Sequence, residues 1–82
     1  MRSHTWNQTI GEKLRKLRVR RNYSQAFVAE CLGLSRNAYL EWENGKIDFT
    51  ISRFDKICTC YGINISELLT DLELDANFHK LL

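Results

Sequence analysis

The sequence contains no proline and no apolar run long enough to cross a membrane. Its N-terminus also lacks the pattern of a secretory signal peptide. The 44% of apolar residues is too high for a disordered chain, and 82 residues are enough for one domain around a single core. We therefore expect a compact, all-α domain with no membrane association and no room for a separate substrate domain.

Cysteine and histidine are scarce. Three cysteines make an odd number, which together with the missing signal peptide fits a reducing cytoplasm. Cys58 and Cys60 are two apart in a predicted helix and point to different sides, so we expect small buried or half-buried side chains and no zinc site. His4 and His79 lie near the two termini, away from any cluster that could pair a nucleophile with a base. The sequence predicts no enzyme, no catalytic residue, no metal and no cofactor.

The charge is unevenly distributed along the chain. Residues 1–46 contain nine Lys/Arg and four Asp/Glu, a net charge of +5, and residues 47–82 contain three and six, a net charge of −3. A basic pole of this kind favours binding to phosphate groups.

Residues 24–44 predict two short helices separated by one break. Ser24 caps the first helix, whose apolar stripe includes Val28 and Leu32. Gly33 ends it, because glycine adopts the left-handed conformation without a steric penalty. Two such helices joined by a short turn form a helix-turn-helix unit, whose second helix fits the major groove of DNA.

The second helix, residues 36–44, combines an apolar face with a polar one. Ser35 caps it, and Ala38, Tyr39 and Trp42 are predicted to face inward. The outward side chains are Arg36, Asn37, Leu40, Glu41 and Asn44. Arginine donates twice to guanine, asparagine pairs with adenine, glutamate accepts from cytosine, and an apolar side chain contacts the thymine methyl. We therefore predict that Arg36, Asn37 and Glu41 read bases and that Leu40 assists.

Several short motifs follow one another in a fixed order along the chain. They are Ile10-Gly11-Glu12-Lys13-Leu14-Arg15, Leu17-Arg18, Ser24-Gln25, Val28-Ala29, Leu32-Gly33-Leu34-Ser35, Trp42-Glu43-Asn44-Gly45-Lys46, Lys56-Ile57-Cys58, Tyr61-Gly62-Ile63 and Glu67-Leu68-Leu69. In this combination they resemble the phage-repressor and Cro-like helix-turn-helix domains, the XRE family. The resemblance implies a five-helix, lambda-repressor-like domain that regulates transcription by binding double-stranded DNA.

The resemblance also implies how the domain is held on DNA. Gln25, Ser35, Asn44 and Lys46 are expected at the phosphates, where contacts position the protein without reading sequence. A homodimer is expected on a palindromic operator, with recognition helices about 34 Å apart.

Two further roles come from the same resemblance. Arg18 lies on the inner side of the first helix and is expected to form a structural ion pair with Glu43 that fixes the recognition helix. Ile65, Leu68 and Leu69, in the last helix, are candidates for the dimer contact.

The remaining segments complete the predicted organisation. We expect a polar arm over residues 1–8, a domain over residues 9–70 with its helix-turn-helix unit at 25–44, and a tail over residues 71–82. A capping box of Thr9 and Glu12 predicts that the first helix begins at Ile10, and Asn22 ends it in the left-handed conformation.

A fourth and a fifth helix follow the helix-turn-helix unit. Thr50 or Ser52 starts the fourth, and Asn64 with Glu67 forms the capping box of the fifth. The predicted core face of the fourth helix consists of Ile51, Phe54, Ile57, Cys58 and Tyr61, and Gly62 ends the helix. In the tail, Leu74, Phe78, Leu81 and Leu82 share one helical face, so a sixth helix is a further possibility that would cover the core or pair with a second copy.

A competing function is a protein-interaction module, such as an antitoxin or adaptor, that keeps the fold. Phe27 and Leu40, where the family usually carries polar residues, and the apolar tail favour this alternative. Phe27 either packs against Trp6 or marks a partner surface.

Overall fold

The structure, a computed structural model, describes residues 6–73, and all regular secondary structure in that range is helical. The helices are α1 (Trp6–Arg20), α2 (Gln25–Leu32), α3 (Arg36–Glu43), α4 (Ile51–Tyr61) and α5 (Ile65–Asp71). This confirms the predicted all-α, five-helix fold. The predicted sixth helix lies outside the described residues. In the described range, none of the helices combines the length and the apolar character that crossing a bilayer requires.

The ends of α4 and α5 lie where the sequence predicted them. The Thr50 hydroxyl accepts the N–H of Arg53 at 3.2 Å, and Gly62 ends α4 with a φ of 67°. Asn64 and Glu67 accept each other's backbone N–H at 2.8 and 2.9 Å, forming the capping box of α5. These local contacts fix where α4 and α5 begin.

One core is shared by all five helices. Its buried residues are Ile10, Leu14, Leu17, Val28, Ala29, Leu32, Tyr39, Trp42, Phe49, Ile57, Cys58, Tyr61, Leu68 and Leu72. Helices α1 and α2 both pack against α3, so α3 is supported from two sides.

Helix α1 begins at Trp6, four residues before the predicted start at Ile10. The side chain of Asn7 holds this first turn to the loop after α3: its amide donates to Asp48 at 3.0 Å, and its oxygen accepts the Phe49 N–H at 3.1 Å. Residues 6–8 are therefore part of the domain and not of an arm. The predicted capping box does not form, because both of its residues lie inside the helix.

Ile51 was predicted in the core and is instead 88% exposed. It occupies the first position of α4, in a turn that extends past the packed part of the domain. Its side chain borders an open groove that Ile63 and Ile65 also line. The core face of α4 consists of Phe54, which is half-buried, and the buried residues further along the helix.

The packing of α2 against α4 brings two cysteines together. A disulfide joins Cys31 to Cys60, whose Cα atoms are 5.7 Å apart. Cys58 is a buried free thiol and Cys60 is half-buried, both as expected, but the disulfide partner of Cys60 was not predicted. The sequence did not indicate this pair, because 29 residues separate the two cysteines and only the tertiary fold brings them together.

Candidate nucleic-acid interface

Two serine caps and one glycine set the angle between α2 and α3. Ser24 accepts the N–H of Phe27 at 3.0 Å, and Ser35 accepts the N–H of Ala38 at 3.1 Å. Between the helices, Gly33 has a φ of 74°, in the left-handed region. The chain therefore turns where the sequence predicted and starts α3 at Arg36.

The inner face of α3 is anchored by two aromatic side chains. Tyr39 is fully buried and Trp42 is 5% exposed. The Trp42 ring packs edge-on against Phe49, with 6.0 Å between ring centroids, and Arg53 lies over its face at 5.9 Å. These contacts fix the rotation of α3 about its axis and so determine which side chains face outward.

The outer face of α3 carries the residues predicted to read bases. Arg36, Asn37 and Glu41 are exposed, and Leu40 is half-buried among them. All four predicted residues are therefore on one surface ridge. A ridge with two donor-rich side chains and one carboxylate can present hydrogen-bonding groups to base edges.

Gln25 connects this ridge to the interior. Its side-chain oxygen accepts from Arg36 at 3.2 Å, and its amide nitrogen donates to Glu43 at 3.4 Å. Gln25, the first residue of α2, therefore orients Arg36, the first residue of α3. The backbone N–H groups at the start of α2 lie at the positive end of the helix dipole, and the Ser24 hydroxyl accepts the one of Phe27.

The ion pair of Arg18 and Glu43 is present, and we call it the brace. Arg18 Nε donates to Glu43 Oε2 at 2.6 Å, and the two side chains are only 10% and 3% exposed. Arg18 Nη1 also donates to the carbonyl of Tyr23 at 2.9 Å. The hydrogen bond to Glu43 raises the pKa of Arg18. The brace therefore joins α1 to the C-terminal end of α3 with a permanent charge.

The sequence did not identify Tyr39 as a member of this network. Its hydroxyl donates to Glu43 Oε2, and burial followed by this hydrogen bond raises its pKa, so the donor keeps its proton. A spacing of four residues on one helix face was the available signal, since such side chains are neighbours. The Glu43 carboxylate consequently has three side-chain donors from three helices.

The candidate phosphate-binding residues surround the ridge. Ser35, Asn44 and Lys46 are exposed, and Gln25 is half-buried. Arg15, on α1, lines a small cleft together with Asn44 at the end of the recognition helix. Arg15 therefore adds a second cation beside the end of α3, next to Glu12, which lines the same cleft.

Two other cations of α1 have structural partners instead. Arg21 Nη2 lies 2.9 Å from a carboxylate oxygen of Asp71, and Arg20 donates to the backbone carbonyl of the same residue. Both side chains hold the end of α5 against α1. Some cations of the basic part of the sequence therefore stabilise the fold, and others remain on the surface.

Sequence reasoning also missed two glycines where α1 approaches α3. A Cβ built on Gly11 would lie 2.5 Å from the backbone oxygen of Glu43 and 2.6 Å from that of Trp42. A Cβ on Gly45 would lie 2.5 Å from Cα of Gln8. A glycine in the middle of a helix, as at position 11, was the available signal for such a close approach.

The predicted dimer residues divide by burial. Ile65 is 51% exposed and Leu69 is partly buried at the edge of the core. Leu68 is fully buried, so its prediction as a surface contact was wrong: the fifth helix turns this side chain into the domain's own core.

The chain is similar in sequence to known helix-turn-helix proteins. A family model described as a helix-turn-helix domain matches residues 11–73. The chain is 38% identical over 64 residues to the cryptic phage CTXphi transcriptional repressor RstR of Vibrio cholerae, covering 78% of this chain and 58% of that protein. It is 39% identical over 65 residues to the control protein C.MunI of a Mycoplasma species, covering 78% of this chain and 88% of that one.

The fold is also found in a solved structure. The clp gene regulator ClgR from C. glutamicum superposes with a TM-score of 0.70 at 19% identity, over 82% of this chain and 87% of that chain. At this identity the likeness concerns the fold alone.

Proposed function

Because this chain belongs to the helix-turn-helix domain family, we propose that it regulates transcription by binding double-stranded DNA at specific sequences, with α3 in the major groove. The observation that carries the proposal is the ridge on α3: Arg36, Asn37 and Glu41 are exposed together while Tyr39 and Trp42 are buried. The function is binding without catalysis, and its place is the cytoplasm.

In the proposed complex, the residues of the ridge read base edges. Arg36 donates to guanine and Asn37 pairs with adenine, because these side chains match those acceptor and donor patterns. Glu41 accepts from cytosine, and Leu40 contacts a thymine methyl. Gln25 holds Arg36 in the free protein, which limits the entropy lost when the guanidinium is placed on a base.

Phosphate contacts are proposed for the groups around the ridge. Lys46 and Arg15 supply charge, and Ser35 and Asn44 supply hydrogen-bond donors. Gln25 contributes mainly the N-terminal backbone of α2, because its side chain already bonds Arg36 and Glu43.

A homodimer on a palindromic operator completes the proposal. Two copies related by a two-fold axis would place their recognition helices about 34 Å apart, in successive major grooves. Ile65 and Leu69 are the proposed contact residues, joined by Ile51, which borders the same groove as Ile65. Burial of these exposed apolar side chains against a second copy would stabilise the dimer.

A salt titration on the operator tests DNA binding and the dimer together. If Lys46 and Arg15 of each protomer neutralise one phosphate each, the dimer neutralises four, and the logarithm of the binding constant should fall against the logarithm of salt concentration with a slope of about −3.6. Half that slope would contradict the dimer. Binding independent of salt would overturn the DNA proposal and favour a protein-interaction module. The observation that supports this alternative is Phe27, which is 52% exposed and whose ring lies tilted against Tyr23 at 4.8 Å between centroids.

Substitutions on the ridge test base reading. Arg36→Ala and Asn37→Ala should each weaken operator binding by about 1–3 kcal/mol and relax specificity at one base pair, because each removes a side chain that forms two hydrogen bonds with one base. The measurement is a binding titration against operator variants changed at one base pair each. Lys56→Ala, which removes a positive charge from an exposed position on α4, is the control and should bind every variant as the parent does. If Arg36→Ala and Asn37→Ala also bind every variant as the parent does, α3 does not read bases.

A further inference from the structure

Cys31 and Cys60 connect two helices at their last turns. Cys31 is the penultimate residue of α2 and Cys60 the penultimate residue of α4, and their Cα separation of 5.7 Å lies within the range that a disulfide spans. Cys31 is exposed and Cys60 is half-buried. Solvent species therefore have access to one of the two sulfur atoms.

The disulfide closes a covalent loop around the recognition helix. The residues between the two cysteines include the turn at Gly33, the whole of α3 and the connection to α4. All four residues of the ridge and three of the proposed phosphate contacts around it, Ser35, Asn44 and Lys46, lie inside this loop. Whether this bond is closed or open therefore changes the conformational freedom of the segment that is proposed to face DNA. The change applies to the unfolded chain and to states in which the domain opens locally.

The disulfide is not the only contact between α2 and α4. Helices α2 and α4 meet through side chains of the common core, Val28 and Leu32 on one side and Ile57 and Tyr61 on the other. With this apolar contact in place, the two sulfur atoms stay close together whether or not they are joined. The same fold can therefore hold the pair as a dithiol or as a disulfide.

The third cysteine does not compete for this chemistry. Cys58 is buried, and burial together with the charge of Asp55 raises the pKa of its thiol. A thiol in this state is a poor nucleophile, because the thiolate is the reacting species.

We propose that Cys31 and Cys60 form a reversible redox site, which exchanges with small-molecule thiols and disulfides of the glutathione class and whose disulfide state restrains the loop that carries α3. Disulfides are rare in the reducing compartment where a DNA-binding protein acts, and those present there are commonly transient. The assignment of the protein to a reducing compartment rests on the proposed function, whereas the geometry of the cysteine pair does not.

The exchange proceeds by two thiolate attacks. A glutathione thiolate attacks Sγ of the exposed Cys31, forming a mixed disulfide and releasing Cys60 as a thiolate that takes up a proton. A second glutathione thiolate attacks the glutathione sulfur, releasing Cys31 and oxidised glutathione. Two glutathione molecules are oxidised and one protein disulfide is reduced, and the reverse sequence closes the bond.

The test is to incubate the full chain in glutathione buffers of graded ratio, trap thiols by acid and alkylation, and count the labels by mass. The expected result is a gradual change from three labelled cysteines to one, with the remaining label on Cys58. The oxidised protein should melt on the order of 10 °C or more above the reduced protein, because the bond closes a long loop. Cys31→Ser should abolish this difference in melting temperature, and Cys58→Ser should retain it.

Three results would overturn the proposal: three labels in every buffer, an intramolecular bond that includes Cys58, or equal melting temperatures of oxidised and reduced parent. The comparison of the two states of the parent needs no variant, so a variant that fails to fold does not remove the test. None of these measurements uses DNA. Loss of DNA binding and loss of the redox site are therefore separate outcomes.

Discussion

Replacing Arg18 by methionine should lower the free energy of unfolding by about 3–5 kcal/mol. Methionine keeps most of the apolar stem of the arginine but removes its charge, so the carboxylate of Glu43, 3% exposed, is left without its cation. A domain of this size has a stability of only about 4–12 kcal/mol, so a large share is lost. Denaturant unfolding monitored by circular dichroism measures the change.

A second ion pair in the same protein provides the control. Arg21 and Asp71 are 2.9 Å apart, but their side chains are 34% and 32% exposed. Water solvates the partner that remains, so Asp71→Asn should cost about 1 kcal/mol or less. If Arg18→Met is as mild as Asp71→Asn, the brace is not a buried charge pair in solution.

A double variant separates charge from packing. Arg18→Met combined with Glu43→Leu removes both charges, so it should be more stable than Arg18→Met alone. A double variant as unstable as the sum of the two single ones would mean that the pair acts only through its packing.

Replacing Gly11 by alanine should destabilise the domain by about 3 kcal/mol, although helix propensity alone predicts a gain of about 1 kcal/mol. The added methyl group would lie 2.5 Å from the backbone oxygen of Glu43, and a backbone atom cannot rotate away as a flexible side chain does. Either α1 or the end of α3 must move. The sign of the change in the free energy of unfolding therefore reports whether α1 contacts α3 as described.

Gly33→Ala is the matched control. A Cβ at this position meets nothing within 4 Å. The substitution should therefore lower the free energy of unfolding only by the strain of an alanine in the left-handed conformation, about 1–2 kcal/mol. A stabilised Gly11→Ala variant would contradict the close approach of α1 to the recognition helix.

Both predictions concern the same physical unit. Helix α1 holds the C-terminal end of α3 through the brace and through the backbone contact at Gly11, while Gln25 holds its N-terminal end through Arg36. The ridge is therefore oriented from both ends before any DNA is bound. Preorganisation of this kind reduces the entropy lost on binding.

Much of the fold followed from local signals. Serine, threonine and asparagine caps placed the starts of α2, α3, α4 and α5, because a cap needs only a side-chain oxygen next to its own helix. The inward stripe of Tyr39 and Trp42 was likewise set by helical spacing, and it fixed the outward direction of the ridge. The resemblance to phage-repressor domains added the ion pair of Arg18 and Glu43, which no local pattern specifies.

Where the sequence failed, the deciding contacts were distant along the chain. Helix α1 starts at Trp6 because Asn7 bonds the loop at Asp48 and Phe49, 41 and 42 residues away. Ile51 fits the apolar spacing of a helix yet is exposed. Helical spacing alone does not determine whether a neighbouring helix covers a given position. The amino-acid order by itself determined the five helices, the turn and the outward face of α3 that is proposed to read DNA, through side chains acting on their own helix. Only the tertiary structure decided the network around Glu43, the close approach at Gly11 and the pairing of Cys31 with Cys60, because each needs two or more helices packed at a definite distance.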